Sequence, residues 1–198
     1  GYVKTAEGYP IRLNTIWSGP GANNGNRYAY SDETGFYLHA DKQEGTNQSV
    51  STYDDSGRIL FPDGREGVVV LPSGSQTFDL TQDIELPDIV MDLVYLTGTI
   101  TDSNAIPVAG AYVTSYRGTT TDSQGRYTLA FMRGTGVKNI EVRPPADRSD
   151  LGTQTFQVDM ASGDVNYDFI SPILSRYDIS GYVKTAEGYP IRLNTIWS

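Results

Sequence analysis

Apolar and polar residues alternate in short runs along the chain. Four of these runs are rich in β-branched and aromatic residues: Val108–Tyr116, Arg126–Phe131, Asn139–Val142 and Thr153–Val158. Gly, Pro, Asp and Ser separate the runs, and no stretch shows the period of about 3.6 residues that marks an amphipathic helix. This pattern predicts an all-β fold built from short antiparallel strands.

The chain carries the same sequence at both ends, because Gly181–Ser198 repeats the 18 residues Gly1–Ser18 letter for letter. The identity predicts a unit of 180 residues, the offset from Gly1 to Gly181, followed by the first strands of the next copy. Both ends fall within alternating runs, so we expect the chain to be cut from a longer one. A natural tandem array and an engineered duplication that lets chains exchange strands would give the same sequence.

A second, weaker repeat divides this unit. The matching pairs are Gly1 with Gly98, Pro10 with Pro107, Asp32 with Asp122 and Gly35 with Gly125. The offset falls from 97 to 90 residues between the second and third pairs, which indicates an insertion in the first half, visible as the Gly- and Asn-rich segment 19–26. We therefore expect one module at residues 1–97, a second at residues 98–180, and the start of a third at residues 181–198.

The segments Asp32–Gly35 and Asp122–Gly125 predict tight hairpin turns. An Asp side chain accepts a hydrogen bond from the backbone two residues on, and Gly adopts the positive φ that such turns need. Each module has room for about seven strands, so the sequence predicts two tandem seven-stranded Greek-key β-sandwiches of the immunoglobulin-like or prealbumin-like kind. The junctions at residues 85–95 and 170–178 are short and poor in Gly and Ser, which predicts modules stacked end to end.

The second module resembles a known family. It contains Gly98-Thr-Ile-Thr-Asp, Ile106-Pro-Val-Ala-Gly-Ala-Tyr-Val and Thr121-Asp-Ser-Gln-Gly-Arg-Tyr-Thr-Leu. In this order and spacing the motifs resemble the carboxypeptidase regulatory-like domain, a prealbumin-like β-sandwich, over residues 96–180. The first module resembles a divergent copy, with Arg12-Leu-Asn where the family has a small Gly-Ala step. The resemblance implies a non-catalytic module of a surface or secreted protein and supplies no catalytic residue.

The chain is acidic, with 24 Asp and Glu against 15 Lys and Arg and a net charge of −9 at pH 7. Phosphate backbones and anionic lipids would repel such a protein, so we expect no nucleic-acid partner. Cysteine is absent from the sequence, which excludes a disulfide framework and a thiol nucleophile. No apolar run is long enough to span a bilayer and no signal-peptide pattern is present, so we expect no membrane span.

The sequence offers few groups for catalysis. The sole histidine, His39, follows a short strand, where alternation predicts a rim or surface position, and no nucleophile or acid partner can be assigned to it. Motifs for a nucleophile elbow, a phosphate-binding loop or a His-x-x-x-His metal pair are missing. We therefore expect no enzyme and assign no catalytic, cofactor-binding or metal-binding residue.

Acidic residues cluster in two stretches, and calcium prefers several oxygen ligands at close spacing. The two stretches contain Asp54, Asp55, Asp63 and Glu66, and Asp79, Asp83, Glu85 and Asp88. Neither has the alternating Asp pattern of an EF-hand, and acidic turns are expected on a chain of this charge. A solvated acidic face is the favoured interpretation, and calcium binding is the alternative.

Two covalent modifications are compatible with the sequence. The family resemblance implies an isopeptide bond as one possibility, in which Lys4 on the first strand condenses with an Asn or Asp on the last, assisted by a buried acid. Lys184 is the copy of Lys4, but Thr101 occupies the equivalent place in the second module. The second module therefore cannot form the same bond. Asn47 begins the sole N-glycosylation sequon, in a predicted polar loop.

Alternation also predicts a contact residue. Matching the first module to the second places Ile16 in the core and turns Leu13 and Trp17 to the opposite face. An exposed Trp beside an aliphatic residue is a typical interface anchor, so we expect Trp17, Leu13 and the copy Trp197 to make assembly or ligand contacts. The alternative is an alternation shifted by one residue, which places Trp17 in the core.

These observations favour a structural function. The sequence predicts a non-catalytic repeat unit of an extracellular filament or surface-adhesin stalk that assembles end to end with copies of itself. Residues 181–198 cannot bury their apolar side chains alone, so we expect the following repeat or a neighbouring chain to complete them. The alternative is a carbohydrate-binding module of a secreted or surface protein, in which Trp17 and Tyr-rich loops stack on sugar rings.

Overall fold

The computed structural model describes residues 1–13, 16–19, 28–40, 44–52, 56–70, 72–174, 184–187 and 189. All regular secondary structure in these ranges is β-strand, which confirms the predicted all-β class. The same ranges contain no helix long and apolar enough to cross a membrane.

The described strands are short and separated by turns. Those of the first half are β1 (Val3–Thr5), β2 (Ile11–Leu13), β3 (Ile16–Gly19), β4 (Tyr28–Ala29), β5 (Gly45–Thr52), β6 (Ser56–Leu60), β7 (Glu66–Val70), β8 (Ser75–Leu80) and β9 (Ile89–Met91). Those of the second half are β10 (Leu93–Asp102), β11 (Tyr112–Ser115), β12 (Arg117–Thr120), β13 (Arg126–Met132), β14 (Val137–Arg143), β15 (Gln154–Asp159), β16 (Val165–Asn166) and β17 (Phe169–Ser171).

The described strands form three larger sheets and one parallel pair. One four-stranded sheet has the order β4-β3-β5-β8, and the other has the order β12-β11-β14-β15. A seven-stranded sheet has the order β16-β10-β13-β7-β6-β2, with β17 also paired to β10. The remaining strands, β1 and β9, pair with each other in parallel.

Two hydrophobic clusters form the core of the part of the chain that the structure describes. The first contains Val3, Ile11, Leu13, Ile16, Val50, Ile59, Ile89 and Met91, and the second contains Leu96, Ile100, Val113, Leu129, Phe131, Ile140 and Val142. Each cluster joins one four-stranded sheet to strands of the seven-stranded sheet. Apolar alternation in the sequence therefore marks the inner faces of these sheets.

The seven-stranded sheet joins the two halves side by side. β7 and β13 pair in parallel, with Val68 opposite Leu129 and Val69 opposite Ala130. Alternate side chains enter different clusters, because Val68 and Leu129 pack in the second cluster whereas Val69 and Ala130 pack in the first. β7 is thus buried on both faces, which is typical of a strand in the interior of a sheet with both faces covered.

This arrangement corrects the prediction that the two halves of the unit stack end to end. The halves share one sheet, and β10 passes through the expected boundary between residues 97 and 98. The physical reason lies in β7, where residues 67–70 are all buried. Such an apolar strand needs a paired neighbour, since an exposed edge of this kind would promote aggregation.

The two halves share their local geometry. In each, an early strand pairs in parallel with the last strand, so that Val3 lies opposite Ile89 and Ile100 lies opposite Phe169. Val3 and Ile100 are 97 residues apart, which is the offset of the internal sequence repeat.

The structure confirms both predicted Asp-x-x-Gly turns. Oδ1 of Asp32 and of Asp122 accepts the backbone N–H two residues on, at 2.8 Å in each half. Gly35 and Gly125 have φ values of 80° and 74°. A Cβ at either glycine would lie 2.3 or 2.4 Å from a backbone carbonyl oxygen, so glycine is required for conformation and for space.

Candidate assembly site

The predicted contact residues occupy different environments. Leu13 ends β2 and is 0 % exposed, so it offers no surface for assembly. Trp17 lies on β3 opposite Tyr28 and Ser51 and is half-buried. Trp197 lies outside the described residues.

The alternation of β2 does not continue into β3. β2 pairs with β6 in the seven-stranded sheet, whereas β3 pairs with β4 and β5 in a four-stranded sheet. The chain changes sheet between Leu13 and Ile16, and both side chains are fully buried. Placing Leu13 beside Trp17 on an outer face was therefore wrong, and a contact role for Trp17 stays a prediction.

The second half contains a long strand pair after its Asp-x-x-Gly turn. β13 follows the turn and pairs with β10 through seven successive residue pairs. The pairs run from Thr99 and Arg126, beside the turn, to Leu93 and Met132. β10 therefore has β13 on one side and β16 on the other.

The first half contains the beginning of this pairing. Tyr2 forms a bridge with Phe36, and the carbonyl oxygen of Gly1 accepts the N–H of Tyr37 at 3.0 Å. These contacts correspond to the β10–β13 pairs nearest the turn. Residues 38–40, which correspond to the continuation of β13, belong to no strand.

A groove of about 670 Å³, which we call the Tyr37 groove, lies beside Gly1 in the first half. Residues 37–40 line one part of it, residues 81–84 line another, and Phe78 of β8 contributes an apolar surface. His39 is half-buried here, and its ring lies 6.1 Å from the ring of Tyr37. The groove thus lies between the segment after the Asp32–Gly35 turn and the segment that follows β8.

Tyr37 shows the clearest difference between the halves. Tyr37 and its counterpart Tyr127 are both buried. The Tyr127 hydroxyl donates to the carbonyl oxygen of Tyr167 at 2.7 Å, whereas the Tyr37 hydroxyl has no hydrogen-bond partner among the described residues. Burial, and then the charge of Asp88, raise the pKa of Tyr37, so its hydroxyl stays protonated beside the Tyr37 groove.

Sequence reasoning missed the Tyr37 groove. Its signal in the sequence is the alignment of Tyr37 with Tyr127, which is buried in the second half. Periodicity alone does not reveal the groove, because the segments that line it, residues 37–40 and 81–84, are far apart in the sequence.

Lys4 lies beside Asp88, the residue that precedes β9. Lys4 Nζ is 2.6 Å from Asp88 Oδ2, and the two side chains are 38 % and 31 % exposed. The hydrogen bond from Lys4 lowers the pKa of Asp88, so the carboxylate is ionised at neutral pH. The structure thus brings a first-strand Lys to an Asp beside the last strand of its half, and the isopeptide bond itself stays a prediction.

The candidate calcium ligands that the structure describes in the first stretch are paired with cations. Asp63 Oδ2 lies 2.6 Å from Arg65 Nε, and Glu66 Oε2 lies 3.0 Å from Arg58 Nη1. Residues 54–55 lie outside the described residues. In the part of the chain that the structure describes, no group of three or more His, Cys, Asp or Glu side chains is placed to hold a metal ion.

Asn47 lies within β5 and not in a loop. It has a φ of 53° next to an irregularity in the pairing of β5 with β8, and its N–H donates to Asp79 Oδ1 at 2.9 Å. The bulge leaves Asn47 exposed in spite of its position in a strand. Glycosylation at Asn47 stays a prediction.

No protein-family model and no curated protein matches the chain. The shaft pilin spaA from Lactobacillus rhamnosus GG, a mutant structure, is similar at 10% identity and a TM-score of 0.37, over 89% of this chain and 98% of that one. A streptococcal ancillary pilin matches at 13% identity and a TM-score of 0.31, over 70% of this chain and 47% of that one. The minor pilin GBS52 from Streptococcus agalactiae matches at 10% identity and a TM-score of 0.31, over 88% of this chain and 86% of that one. Values this low carry no argument about function, and the carboxypeptidase regulatory-like resemblance stays a prediction.

Proposed function

We propose that this chain is a non-catalytic structural repeat unit of an extracellular filament or surface-adhesin stalk. The duplicated segment carries the proposal. The N–H of Thr185 donates to the carbonyl oxygen of Tyr189 at 2.8 Å, as Thr5 donates to Tyr9 at 2.8 Å. Tyr9 packs against the first hydrophobic cluster, whereas Tyr189 is 69 % exposed. A segment with the turn of the first strands but without their packing needs further protein to bury it.

The proposed unit consists of two related modules, at residues 1–97 and 98–180, which share one sheet through β7 and β13 and the strand β10 across their boundary, and the first strands of a third at residues 181–198. The matching parallel strand pairs and Asp-x-x-Gly turns of the two halves support this division. Units join end to end through residues 181–198, which are completed by the covalently following repeat or by a neighbouring chain. The partner of the chain is therefore another copy of itself.

The net charge of −9 agrees with this function. Like charges along a filament keep neighbouring filaments apart and repel nucleic acid and anionic lipid. We place the protein outside the cell or on its surface, where filaments and adhesin stalks act.

Electron microscopy and light scattering of the purified chain over a concentration series test the proposal. Filaments are expected, with masses that rise in whole multiples of the chain mass. A variant that ends at residue 174 is the matched control, because it keeps β1 to β17 and lacks the duplicated segment. A chain that stays monomeric at every concentration, or a control that assembles equally well, would contradict the proposal.

Carbohydrate binding is the second candidate function, favoured by the strongly exposed aromatic side chains of Tyr30 and Tyr116. Aromatic rings present a flat apolar face, which suits contact with a sugar ring. A glycan array tests this function with the chain and with Trp17→Ala, Tyr30→Ala and Tyr116→Ala. Binding that these substitutions weaken would support it, and an array without signal would dispose of it.

A further inference from the structure

We propose that a cleft between the two halves binds a neutral saccharide. The cleft, which we call the arginine cleft, has a volume of about 530 Å³. Residues 63–66, at the turn between β6 and β7, line it from the first half, and residues 118–122, at the end of β12, line it from the second half. The inference rests on the second candidate function, carbohydrate binding, and assigns it a site other than the exposed Tyr30 and Tyr116.

Three pairs of opposite charge line the arginine cleft. Each consists of an Arg and a carboxylate: Arg58 with Glu66 at 3.0 Å, Arg65 with Asp63 at 2.6 Å, and Arg126 with Asp122 at 2.7 Å. The first two pairs belong to the first half and the third belongs to the second half. The charged side chains of the cleft therefore balance, although the whole chain carries a net charge of −9.

This balance selects the charge of the ligand. An anionic ligand would meet three carboxylates in the cleft and the excess negative charge of the chain around it. A cationic ligand would meet three guanidinium groups. A neutral ligand avoids both repulsions, so hydrogen bonds and apolar contacts must hold it.

The Arg–carboxylate pairs suit the hydroxyl groups of a saccharide, because each hydroxyl both donates and accepts hydrogen bonds. Arg65 and Arg126 use Nε in their pairs, so their terminal nitrogens can donate to a ligand. Glu66 accepts from Arg58 through Oε2, so its Oε1 can accept from a ligand. Neighbouring hydroxyls of a sugar ring can therefore bind the donor and the acceptor of one pair at the same time.

Backbone hydrogen bonds fix two of the carboxylates in the cleft. Asp63 Oδ1 accepts the N–H of Arg65 at 3.1 Å, and Asp122 Oδ1 accepts the N–H groups of Gln124 at 2.8 Å and of Arg126 at 3.0 Å. The hydrogen bonds from Arg65 lower the pKa of Asp63, so this acceptor is ionised at neutral pH. A ligand that binds here orders few side chains, which favours affinity.

Apolar and hydroxyl groups complete the cleft. Val68, Tyr112 and Tyr127 contribute apolar surface, and Thr119 and Thr120 of β12 contribute hydroxyl groups. Sites for small ligands combine apolar surface with a few fixed polar groups in volumes of roughly 300–1,000 Å³. The arginine cleft has this composition and size, so it is large enough for a small saccharide.

Amide NMR spectra of the intact chain test the site. The probes are maltose, cellobiose and lactose as neutral disaccharides, and sialyllactose as an anionic saccharide. At least one neutral disaccharide is expected to cause saturable shifts of the Gly64, Gly118 and Thr120 amides, and sialyllactose is expected to bind more weakly than this probe. The amides of Tyr30 and Tyr116 are expected to stay in place.

Substitutions in the cleft test the roles of the charged pairs. Arg65→Ala removes a donor and Glu66→Gln removes an ionised acceptor, so each is expected to weaken binding about tenfold. Arg133→Ala is the matched control, because Arg133 forms an exposed pair with Asp92 at 2.8 Å and does not line the cleft. It is expected to bind like the parent chain. Urea denaturation should show little change in any of the three variants, since exposed ion pairs contribute little to stability.

The inference would be overturned by the absence of saturable shifts from every probe, by shifts confined to residues outside the cleft, or by equal weakening in Arg133→Ala. Binding that is lost in Tyr30→Ala or Tyr116→Ala but kept in Arg65→Ala would also overturn it, while carbohydrate binding itself would stand.

Strand addition is the other use of this cleft that the test detects, because β12 is an edge strand of its sheet. An acetylated Thr-Val-Thr-Val-Thr peptide that shifts the cleft amides more strongly than any saccharide would assign the cleft to peptide binding and overturn the inference. The proposed filament function does not depend on these results, since its own test is the assembly of the purified chain.

Discussion

Ala105 adopts the left-handed backbone conformation of Gly8, its counterpart in the first half. The φ value is 62° at Ala105 and 93° at Gly8. In both turns the N–H of this residue donates to the carbonyl oxygen three residues earlier, at 3.0 Å. A residue with a Cβ is strained in this conformation by about 1 kcal/mol, so the second half carries strain that the first half avoids.

Substitutions at these two positions are therefore expected to have opposite effects. Ala105→Gly raises the free energy of unfolding by up to about 1 kcal/mol, because relief of strain exceeds the added freedom of the unfolded chain. Gly8→Ala lowers it by about 1 kcal/mol. Among the described residues, no atom lies within 4 Å of a Cβ placed at Gly8, so this cost is conformational. Urea denaturation measures the free energy of unfolding of both variants. An Ala105→Gly variant that is less stable than the parent chain would refute the explanation.

Thr121 connects two segments through a buried hydroxyl. Its Oγ1 accepts the N–H of Ala111 at 2.9 Å and donates to the carbonyl oxygen of Val108 at 2.6 Å. Thr121→Val keeps the shape but removes both bonds, so we expect a loss of about 2 kcal/mol of unfolding free energy. Thr120→Val, at the exposed neighbour, is the control and should change it by less than about 0.5 kcal/mol. Similar losses in the two variants would show that the hydroxyl bonds are unimportant.

Asp102 is a buried carboxylate whose Oδ2 accepts a hydrogen bond from Arg148 Nη2 at 3.0 Å. Burial acts to raise the pKa of Asp102, but the hydrogen bonds from Arg148 and from the N–H groups of Ile106 and Asn104 lower it overall. Because the folded pKa lies below the unfolded value of about 3.9, the stability that Asp102 contributes is complete above that value. It is lost as the pH falls through the folded pKa.

Asp102→Asn is accordingly expected to be less stable than the parent chain at pH 7, with a difference that shrinks at acid pH. Asp83→Asn, at an exposed position, is the control and is expected to change stability little at either pH. Urea denaturation at pH 7, 5 and 3 measures the differences. A constant difference across this range would mean that the charge of Asp102 is not the cause.

The Lys4–Asp88 pair is expected to remain an ion pair. Both side chains are about one-third exposed, and the pKa of Asp88 is lowered by Lys4, so the carboxyl group is an unreactive carboxylate towards an amine. Intact mass spectrometry should give the unmodified mass. A mass lower by one water molecule in the parent chain, and restored in Lys4→Met, would instead establish the isopeptide bond.

Local features were predictable because they depend on neighbouring residues. The turns at Asp32–Gly35 and Asp122–Gly125 follow from an Asp that caps its own backbone and a Gly with positive φ, and both occur. The prediction that Leu13 lies on an outer face was wrong, because alternation holds only within one strand and the chain changes sheet before Ile16. Periodicity carries no information across such a crossing.

Long-range features were less predictable. The pairing of β7 with β13 depends on which strand completes an apolar edge, and the short apolar run Val68–Val70 is its sole local signal. The Tyr37 groove is harder still, since the segments that line it, residues 37–40 and 81–84, are far apart in the sequence.

The parallel pairing of Val69 with Ala130 is expected to make the two halves unfold together. Both side chains are buried in the first cluster, although Ala130 belongs to a strand of the second half. Calorimetry at low concentration should show one transition whose calorimetric and van't Hoff enthalpies agree. Val69→Ala removes buried volume at this seam and should lower the midpoint of the whole transition by about 5 °C, for a loss of about 2 kcal/mol.

Val90→Ala, on an exposed face of β9, is the matched control for this substitution and should leave the midpoint nearly unchanged. If the halves were independent modules, two transitions would appear, and Val69→Ala would move one of them. Two transitions would mean that the shared sheet contributes little free energy to holding the halves together. A single transition shifted as a whole would mean that the two halves unfold as one cooperative unit.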